Sequence, residues 1–340
     1  MPYEKSPGSA RSPAEPRSGV QYLEVSPEEA GQRLDKYIER HLAGLPRSRV
    51  YRVIRKGEVR VNGRRAGPEL RLKPHDRIRL PPVRQLPAAP APGTPPVRLT
   101  QQIERSIAYE DDRLLVLDKP AGVAVHGGSG VSFGIIEALR AVRPGEPLEL
   151  VHRLDRDTSG CLLVARDAAT LRTLHALLRE HGFDKRYLTL VQGRWGLGAK
   201  RIDVPLHTDA RVRGERTVRA GAAGKPSVSE FRPVQFFGGT ATLMEVALRT
   251  GRTHQIRVHA AHAGHPVAGD EKYGDRTFNG TLAALGLGRM FLHAHSVSFT
   301  WPRGGEFSVN TPLPPELSRV IDALAVPVKS GRRAARYGRR

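Results

Sequence analysis

The sequence has one cysteine, few aromatic residues and no long apolar run, and each shortage excludes a class of protein. Cys161 alone cannot form an internal disulfide framework or a CxxC zinc site. Aromatic residues make up 6% of the chain, too few for a protein that works mainly by stacking many bases. No stretch approaches the ~18 consecutive apolar residues of a membrane span, and residues 1–19 lack the apolar core of a secretory signal. The sequence therefore predicts a cytoplasmic protein that does not span a membrane.

Acidic residues are also in short supply. The 340 residues include 55 Lys and Arg against 34 Asp and Glu, which gives a formal net charge of +21. Such a surplus favours a polyanionic partner, because contacts to phosphates release condensed counterions. Arginine outnumbers lysine 45 to 10, as coding pressure alone could produce, but such a bias explains the choice of arginine better than the surplus over acids. We therefore expect a nucleic-acid partner.

The length is about twice the ~150 residues of a typical domain and predicts two domains. A proline-rich stretch separates them, since 81–96 holds seven prolines. The last twelve residues contain six basic residues and no acidic one. Composition and pattern together predict a disordered leader at 1–20, a first domain at 21–84, a linker at 85–100, a second domain at 101–325 and a basic tail at 326–340.

The first domain combines helical patterns with a hairpin and an excess of positive charge. Apolar residues recur at helical spacing over 34–42 and again over 50–54, and Asn62-Gly63 is a strong hairpin turn signal. Between residues 33 and 84 there are 16 basic and 5 acidic residues. Three basic side chains share one face of the second helix and form what we call the basic ridge: Arg49, Arg52 and Lys56.

The second domain is dense in glycine and proline, and its strands do not alternate regularly with helices. This pattern favours an α+β fold with a mixed, largely antiparallel sheet and flanking helices over a doubly wound fold. Strands are predicted at 113–118, 161–165, 187–192 and 240–249, and helices at 168–180 and around 317–324.

Residues 151–160 place several charged side chains just before an apolar strand. An aspartate beside Arg153, such as Asp155, is expected to stay ionised, because a nearby positive charge lowers a carboxylate pKa. An ionised aspartate suits a nucleophile or an electrostatic stabiliser better than a general acid. The alternative is a solvated surface loop with an Asx turn.

Residues 250–266 predict a strand followed directly by a helix, with Thr253 as its cap and Gly264 at its end. Arg252 and the helix N-terminal amides could then face a phosphate. Arg257 lies one turn deeper and could reach a carboxylate from another segment. The alternative is an ordinary strand–helix joint with solvated arginines.

Two further features have weaker signals. Tyr187 follows the charged residues 184–186 and could stack on a base and offer its hydroxyl, or simply pack at a strand edge. Several histidines raise the question of a metal, but His254 and His259 are five residues apart with no glutamate between them. We therefore expect no metal site.

Taken together, these segments resemble the RluA family of RNA pseudouridine synthases over about 21–325. The resemblance rests on His-Arg-Leu-Asp-x-x-Thr-Ser-Gly at 152–160, on Gly-Arg-Thr-His-Gln-Ile-Arg-Val-His at 251–259 with Gly-His-Pro at 264–266, and on Asp-Lys-Pro-Ala-Gly at 118–122. Tyr187 stands where that family keeps its active-site tyrosine. The first domain resembles an S4 RNA-binding domain, and the catalytic motifs of the other domain most resemble the branch that acts on large-subunit ribosomal RNA.

The resemblance implies an isomerase that turns specific uridines of large-subunit (23S) ribosomal RNA into pseudouridine. It implies that Asp155 opens the reaction, that Arg257 holds Asp155 ionised through a two-pronged contact, and that Tyr187 lies against the base and could remove a proton. The substrate contacts that we expect, from the resemblance and from the charge pattern, are Arg153, Arg252, Ile256 and the basic ridge residues Arg49, Arg52 and Lys56.

The resemblance also implies a reaction without metal or other cofactor, since it needs no redox step and no group donor. The expected partner is ribosomal RNA of the large subunit or its precursor particle. The protein is expected to be a monomer and not to bind a membrane. The implied fold is a mixed, largely antiparallel sheet with helices, preceded by a small αL-type S4 module. Two alternatives are an RNA-binding protein without catalysis, against which the intact Asp155 argues, and a metal-dependent RNA hydrolase that uses the histidines.

Overall fold

The computed structural model of the chain describes residues 19–42, 47–82, 93–128, 132–209 and 217–326. The chain divides into two compact units, 1–93 and 94–340. The predicted leader lies outside the described residues except for its last two residues, and the predicted basic tail lies outside except for Val326. Of the predicted linker, 85–92 also lies outside them.

The first unit is a four-stranded antiparallel sheet with two helices. Asn62 and Gly63 both have positive φ, 50° and 78°, as a two-residue hairpin turn requires, so the predicted hairpin is confirmed. The strands follow the order β1-β4-β2-β3. The elements are β1 (Gln21–Glu24), a 3₁₀ turn (Pro27–Glu29), α1 (Leu34–His41), α2 (Arg47–Arg55), β2 (Arg60–Val61), β3 (Arg64–Arg65) and β4 (Arg77–Leu80).

Helix α2 buries one face and exposes the other. Val50, Val53 and Ile54 lie in the core of the first unit, which also contains the apolar face of α1. Arg49 and Arg52 of the basic ridge lie on the opposite side of α2 and Lys56 directly follows the helix, and all three side chains are exposed. Apolar spacing of three and four residues fixes which face is buried, so it also leaves the arginines in solvent.

The second unit is built on a ten-stranded sheet of order β10-β13-β14-β9-β15-β8-β6-β5, with β16 beside β15 and β7 beside β8. Its elements are α3 (Val97–Arg105), β5 (Ile107–Glu110), β6 (Leu114–Lys119), α4 (Ile135–Val142), β7 (Glu149–Leu150), β8 (Ser159–Ala165), α5 (Ala168–Arg179), β9 (Phe183–Gln192), β10 (Lys200–Asp203), β11 (Leu206–Thr208), β12 (Val218–Ala220), β13 (Val228–Phe237), β14 (Ala241–Leu248), α6 (Gln255–His262), α7 (Arg276–Ala284), β15 (Leu292–Thr300), β16 (Glu306–Asn310) and α8 (Pro315–Ala325).

One strand pair makes this sheet mixed rather than purely antiparallel. Strands β8 and β15 run parallel, with His293 opposite Ser159 and Ala294 opposite Gly160, whereas the other pairs of the sheet are antiparallel. Gly160 has a φ of 105°, and a Cβ there would overlap the backbone of Ala294. Only glycine fits where the two strands approach each other so closely. The predicted fold class is confirmed.

The start of the second unit differs from the predicted boundary. Helix α3 begins at Val97 and buries Ile103 in the main core, so the last four residues of the predicted linker, 97–100, are helical. Proline at 95 and 96 explains the position, because proline is tolerated immediately before a helix and not in its interior. None of the described helices combines the length and the apolar character that a membrane crossing needs.

Candidate active site

A cavity of about 1100 Å³ opens in the second unit, where three chain segments meet. The loop before β8, the first half of β9 and the connection from β14 into α6 form much of its wall. All six site residues that the sequence predicts in the second domain line this cavity: Arg153, Asp155, Tyr187, Arg252, Ile256 and Arg257. The structure therefore brings together residues that are up to 104 positions apart in the chain.

The cavity wall is strongly cationic. Among its lining residues, all of them described, Asp155 is the one carboxylate. Such a concentration of one sign of charge in a concave surface attracts a polyanion. The lysines and arginines of the wall are Arg153, Arg179, Lys185, Lys225, Arg249, Arg252 and Arg257.

The two carboxylate oxygens of Asp155 have different surroundings. Oδ2 lies 3.3 Å from Arg257 Nη1 and 3.8 Å from His254 Nε2. Oδ1 accepts no hydrogen bond from the part of the chain that the structure describes. The side chain is 21% exposed and faces the cavity. One oxygen is therefore held by a cation and the other is open to a bound molecule.

Arg257 makes its two-pronged contact with Asp270 and not with Asp155. Its Nε and Nη2 donate to the two Asp270 oxygens at 2.7 and 2.8 Å. Burial opposes the charge of Arg257, but the hydrogen bonds and charge of Asp270 outweigh burial and raise the pKa of the guanidinium. The same contacts lower the pKa of the Asp270 carboxyl although it is buried. The expected bidentate pair with Asp155 is corrected to a single contact.

Asp270 is not among the residues that the sequence predicts, yet it is the most firmly held group of the site. Its Oδ1 also accepts from the backbone N–H of Lys272 and Tyr273, at 2.9 and 3.0 Å. Asn279 donates to the Asp270 carbonyl at 3.1 Å. The available signal was an aspartate one glycine after the apolar pair 267–268, since an acid buried there needs a cationic partner.

Arg153 does not supply the cation beside Asp155 that its sequence position suggested. Its side chain is exposed at the cavity and forms no ion pair with any residue that the structure describes. The short loop turns the two side chains to different surroundings, and Arg257 from α6 takes the place beside the carboxylate. Arg153 is thus left available for an external anion.

The N-terminus of α6 also differs from the predicted cap. His254, not Thr253, is the N-cap residue, and it has a left-handed backbone with φ 54° and ψ 23°. The Gln255 side chain accepts from the Arg252 backbone N–H at 3.0 Å and from Thr250 Oγ1 at 2.8 Å. This amide of the predicted phosphate site is therefore already satisfied by Gln255, and the exposed Arg252 side chain is what faces the cavity.

Tyr187 and Ile256 belong to the apolar part of the wall and to the main core. Tyr187 is 7% exposed, and burial, followed by the charge of Asp155, raises the pKa of its hydroxyl well above the ordinary value. The phenol is therefore neutral at physiological pH. Ile256 is 3% exposed and offers only apolar surface.

Lys119 holds the loop that carries Asp155. Its side chain is fully buried, and Nζ donates to the carbonyls of Pro120, Arg156 and Thr158 at 2.8, 2.9 and 2.8 Å. Burial lowers the pKa of this ammonium to about 7, whereas three carbonyl acceptors require all three of its N–H groups. The lysine of the Asp-Lys-Pro motif thus fixes the backbone carbonyls on either side of Asp157, in the loop that carries Asp155.

The histidines considered as metal ligands have other partners. His259 contacts Ser229 Oγ and the Val204 carbonyl, and His265 contacts the Gln192 carbonyl. His293 lies between Ser159 Oγ and the Thr311 carbonyl. Within the described ranges there is no group of three or more His, Cys, Asp or Glu side chains with the proximity that a metal ion needs.

Comparison with known proteins places this cavity in context. Residues 113–262 match the RNA pseudouridylate synthase family, and residues 32–78 match the S4 domain. The chain is 50% identical over 307 residues to "Ribosomal large subunit pseudouridine synthase C" of Pasteurella multocida, covering 90% of this chain and 94% of that protein. It is 48% identical over 309 residues to the protein of the same name from Escherichia coli K12, covering 90% and 97%.

Comparison with solved structures also finds RNA pseudouridylate synthases. The fold is similar to "Human RNA Pseudouridylate Synthase Domain Containing 4", with a TM-score of 0.56 and 26% identity over 67% of this chain and 95% of that one. It is also similar to "Human RNA Pseudouridylate Synthase Domain Containing 1", with a TM-score of 0.51 and 27% identity over 65% and 95%. With half of its residues shared across nearly the full length of bacterial relatives, the chain belongs to the family of RNA pseudouridine synthases.

Proposed function

We propose that the chain isomerises specific uridines in large-subunit ribosomal RNA, as a cytoplasmic monomer. The names of relatives that are 47–50% identical over 90% of the chain support this substrate. The observation that carries the proposed chemistry is the environment of Asp155, a single carboxylate in a cationic cavity with one oxygen held by Arg257 and the other open.

The cavity suits a nucleotide that has left its helix. The glycosidic bond of a stacked uridine is out of reach of a pocket, so the target must be flipped out before reaction. Tyr187 and Ile256 provide an apolar wall for the uracil ring, and the lysines and arginines of the rim provide contacts for the adjoining phosphates. We assign Arg153 to holding the flipped nucleotide, because it is exposed at the cavity and has no ion-pair partner among the described residues.

Asp155 opens the reaction through Oδ1. During isomerisation the C1′–N1 bond breaks, the uracil turns, a C1′–C5 bond forms, C5 loses its proton to solvent and N1 gains a proton from solvent. Atoms and electrons balance within the nucleotide, so no redox partner and no group donor is required. Arg257 holds its positive charge beside Oδ2 of Asp155, because its guanidinium is itself fixed by Asp270.

Tyr187 contributes as a neutral group. Since burial raises the pKa of its hydroxyl, a resident phenolate that would remove a proton is disfavoured. The ring instead packs against the base and its O–H is a donor toward the cavity. This assigns the tyrosine to orientation of the uracil and narrows the role that the resemblance suggested.

The first unit contributes affinity in this proposal. Arg49, Arg52 and Lys56 are exposed on α2 of the unit that contains the S4 match, and basic side chains of this kind position a protein on phosphates without reading sequence. We propose domains at 21–84 and 101–325 with these separate tasks, and the chain's own residues supply the chemistry without metal or other cofactor.

The decisive experiment compares Asp155→Asn with Asp157→Asn. Asparagine keeps the shape of aspartate but removes the charge and the nucleophilic oxygen. Asp157 is 47% exposed and paired with Arg156 at 3.2 Å, so its variant is a matched control two residues away. Tritium release from large-subunit RNA labelled at uridine C5 should be lost in Asp155→Asn and kept in Asp157→Asn, with RNA affinity similar in both. Turnover by Asp155→Asn would contradict the assignment, and RNA strand cleavage by the wild type would contradict the function.

A further inference from the structure

His254 occupies a strained backbone position at the cavity. Its φ of 54° lies in the left-handed region that residues with a Cβ rarely adopt. Such strain persists where the surrounding structure over-determines it, and it concentrates at functional sites. The side chain is 16% exposed, and it lines the cavity beside Asp155.

A chain of hydrogen bonds fixes which ring nitrogen of His254 carries the proton. The Val218 backbone N–H donates to the Tyr273 hydroxyl oxygen at 3.0 Å. The same hydroxyl lies 2.8 Å from His254 Nδ1. The hydroxyl hydrogen has no other acceptor among the described residues, so the O–H finds a partner only by donating to Nδ1. His254 Nδ1 is therefore an acceptor, and the neutral ring carries its hydrogen on Nε2.

The Nε2–H group has no partner in the part of the chain that the structure describes. Its nearest acceptor is Asp155 Oδ2 at 3.8 Å, which is beyond hydrogen-bond distance. Burial lowers the pKa of His254, although the charge of Asp155 opposes it, so the ring is neutral at physiological pH. A directed, unsatisfied donor thus stands at the cavity next to the carboxylate whose other oxygen is open.

We propose that His254 is a further catalytic residue, which donates its Nε2–H to an oxygen of the target uridine beside the glycosidic bond. This inference rests on the proposed function. Of the oxygens beside that bond, the ribose 2′-oxygen and O2 of uracil are the better acceptors, because the ring oxygen O4′ loses electron density as the C1′–N1 bond breaks. A hydrogen bond to O2 would stabilise negative charge on the uracil as the C1′–N1 bond breaks, and one to the 2′-oxygen would hold the ribose against Asp155.

Tyr273 is the positioning residue for this donor. The guanidinium of Arg257 lies 5.0 Å from the centre of the Tyr273 ring, while the hydroxyl of the same tyrosine orients His254. One side chain thus supports both neighbours of Asp155 Oδ2. Tyr273→Phe would keep the aromatic ring beside Arg257 and remove only the hydrogen bond to His254 Nδ1.

The test uses two substitutions with different reach. Asparagine tolerates the left-handed backbone but its amide corresponds to Nδ1, whereas the glutamine amide nitrogen extends to the place of Nε2. We expect His254→Asn to lower the single-turnover rate by about 100-fold, the lower end of the range for one lost donor of this kind, and His254→Gln to keep most of it. His75→Asn is the matched control, because His75 is an exposed histidine of the first unit with the same left-handed φ, 66°.

Substrate analogues identify the accepting oxygen. A large-subunit RNA fragment that the wild type modifies would carry 2′-deoxyuridine or 2-thiouridine at the target. The ratio of wild-type to His254→Asn rates should approach unity with one analogue and stay unchanged with the other. Unchanged ratios with both, or a His254→Asn rate equal to that of His75→Asn, would overturn the proposal.

The tautomer can be measured without any turnover. In the full chain labelled with ¹⁵N-histidine, the ring resonances lost in His254→Asn belong to His254 and should report a neutral ring with hydrogen on Nε2. Tyr273→Phe should shift them toward a mixture of tautomers. A ring protonated on Nδ1 would refute the inference, whereas a correct tautomer with no activity on any ribosomal RNA would refute only the proposed function.

Discussion

Arg257 donates two hydrogen bonds to Asp270, at 2.7 and 2.8 Å, and only one longer hydrogen bond, at 3.3 Å, to Asp155. The arginine that faces Asp155 is therefore oriented by a different carboxylate. In the reaction that we propose, this arrangement keeps the guanidinium in place while Asp155 acts on the nucleotide. A positioned cation of this kind needs no reorganisation at the moment of reaction.

We predict that Asp270→Asn lowers kcat by about 10-fold or more while RNA affinity changes little, because Arg257 loses the charge that orients it. Arg257→Lys should be impaired as strongly, since an ammonium cannot reproduce the fork that contacts Asp270. Single-turnover tritium release and filter binding separate the two quantities.

Asp275→Asn provides the control for that pair. Asp275 caps α7 by accepting from the Phe278 backbone N–H at 2.7 Å, and asparagine caps a helix equally well. Its activity should equal that of the wild type. A kcat for Asp270→Asn equal to that of Asp275→Asn would show that Asp270 has no part in positioning Arg257.

Local sequence signals predicted the elements well. The Asn62-Gly63 turn, strand β6 and helix α5 follow from turn chemistry and apolar spacing, which act over a few residues. The residues quoted for the family resemblance also led to Asp155, Tyr187 and Arg257, which the structure brings to one cavity. Their meeting in one site was predicted from the family motifs and not from the spacing of these residues along the chain.

Contacts between distant segments were not predictable in the same way. Nothing near Asp270 indicates that its partner lies 13 residues earlier on α6, and the left-handed turn at His254 depends on Gln255 satisfying the preceding loop. The cap expected at Thr253 follows the usual preference for a hydroxyl there. A glutamine side chain two residues later overrides that preference, which is a tertiary effect.

We predict that Lys185→Met weakens RNA binding several-fold and leaves kcat at saturating RNA nearly unchanged. Lys185 is on the same face of β9 as Tyr187, lines the cavity, and has no ion pair among the described side chains. Burial lowers the pKa of its ammonium, because no described side chain compensates the positive charge for the solvation that it loses. An RNA phosphate would supply the missing partner.

The measurement is the slope of log K against log salt concentration for a single-stranded RNA fragment. Loss of one phosphate contact should reduce the slope by about 0.7. Lys200→Met removes the same charge from the exposed edge strand β10, which does not line the cavity, and should match the wild type. Equal slopes for the two variants would mean that Lys185 does not contact phosphate.

We predict that stability falls as the pH drops from about 6.5 to about 4, in part through His293. The side chain is fully buried, and burial lowers its pKa from 6.5 to about 4. Between these values the unfolded chain binds a proton that the folded chain does not, so stability is lost as the pH falls through this window. A difference of this size corresponds to about 3 kcal/mol for one histidine.

Urea unfolding at a series of pH values tests this assignment. His293→Gln should flatten the dependence of the unfolding free energy on pH in that window, because glutamine does not titrate. His75→Gln, in an exposed position, should keep the wild-type dependence. Parallel curves for the wild type and His293→Gln would place the effect in other groups.

The last prediction concerns the basic ridge. Replacing Arg49, Arg52 and Lys56 by glutamine should weaken binding to large-subunit RNA and flatten its salt dependence, while single-turnover chemistry at saturating enzyme is kept. The three side chains are exposed on α2, and every residue that we place at the reaction lies in the second unit. If each ridge residue contacts one phosphate, the slope should fall by about 2 for single-stranded RNA.

The control replaces three exposed basic residues of the second unit that do not line the cavity, Lys200, Arg303 and Arg319, and so carries the same net charge. A slope equal to that of the control would show that only total charge matters, whereas a loss of chemistry at saturation would show that the ridge does more than bind.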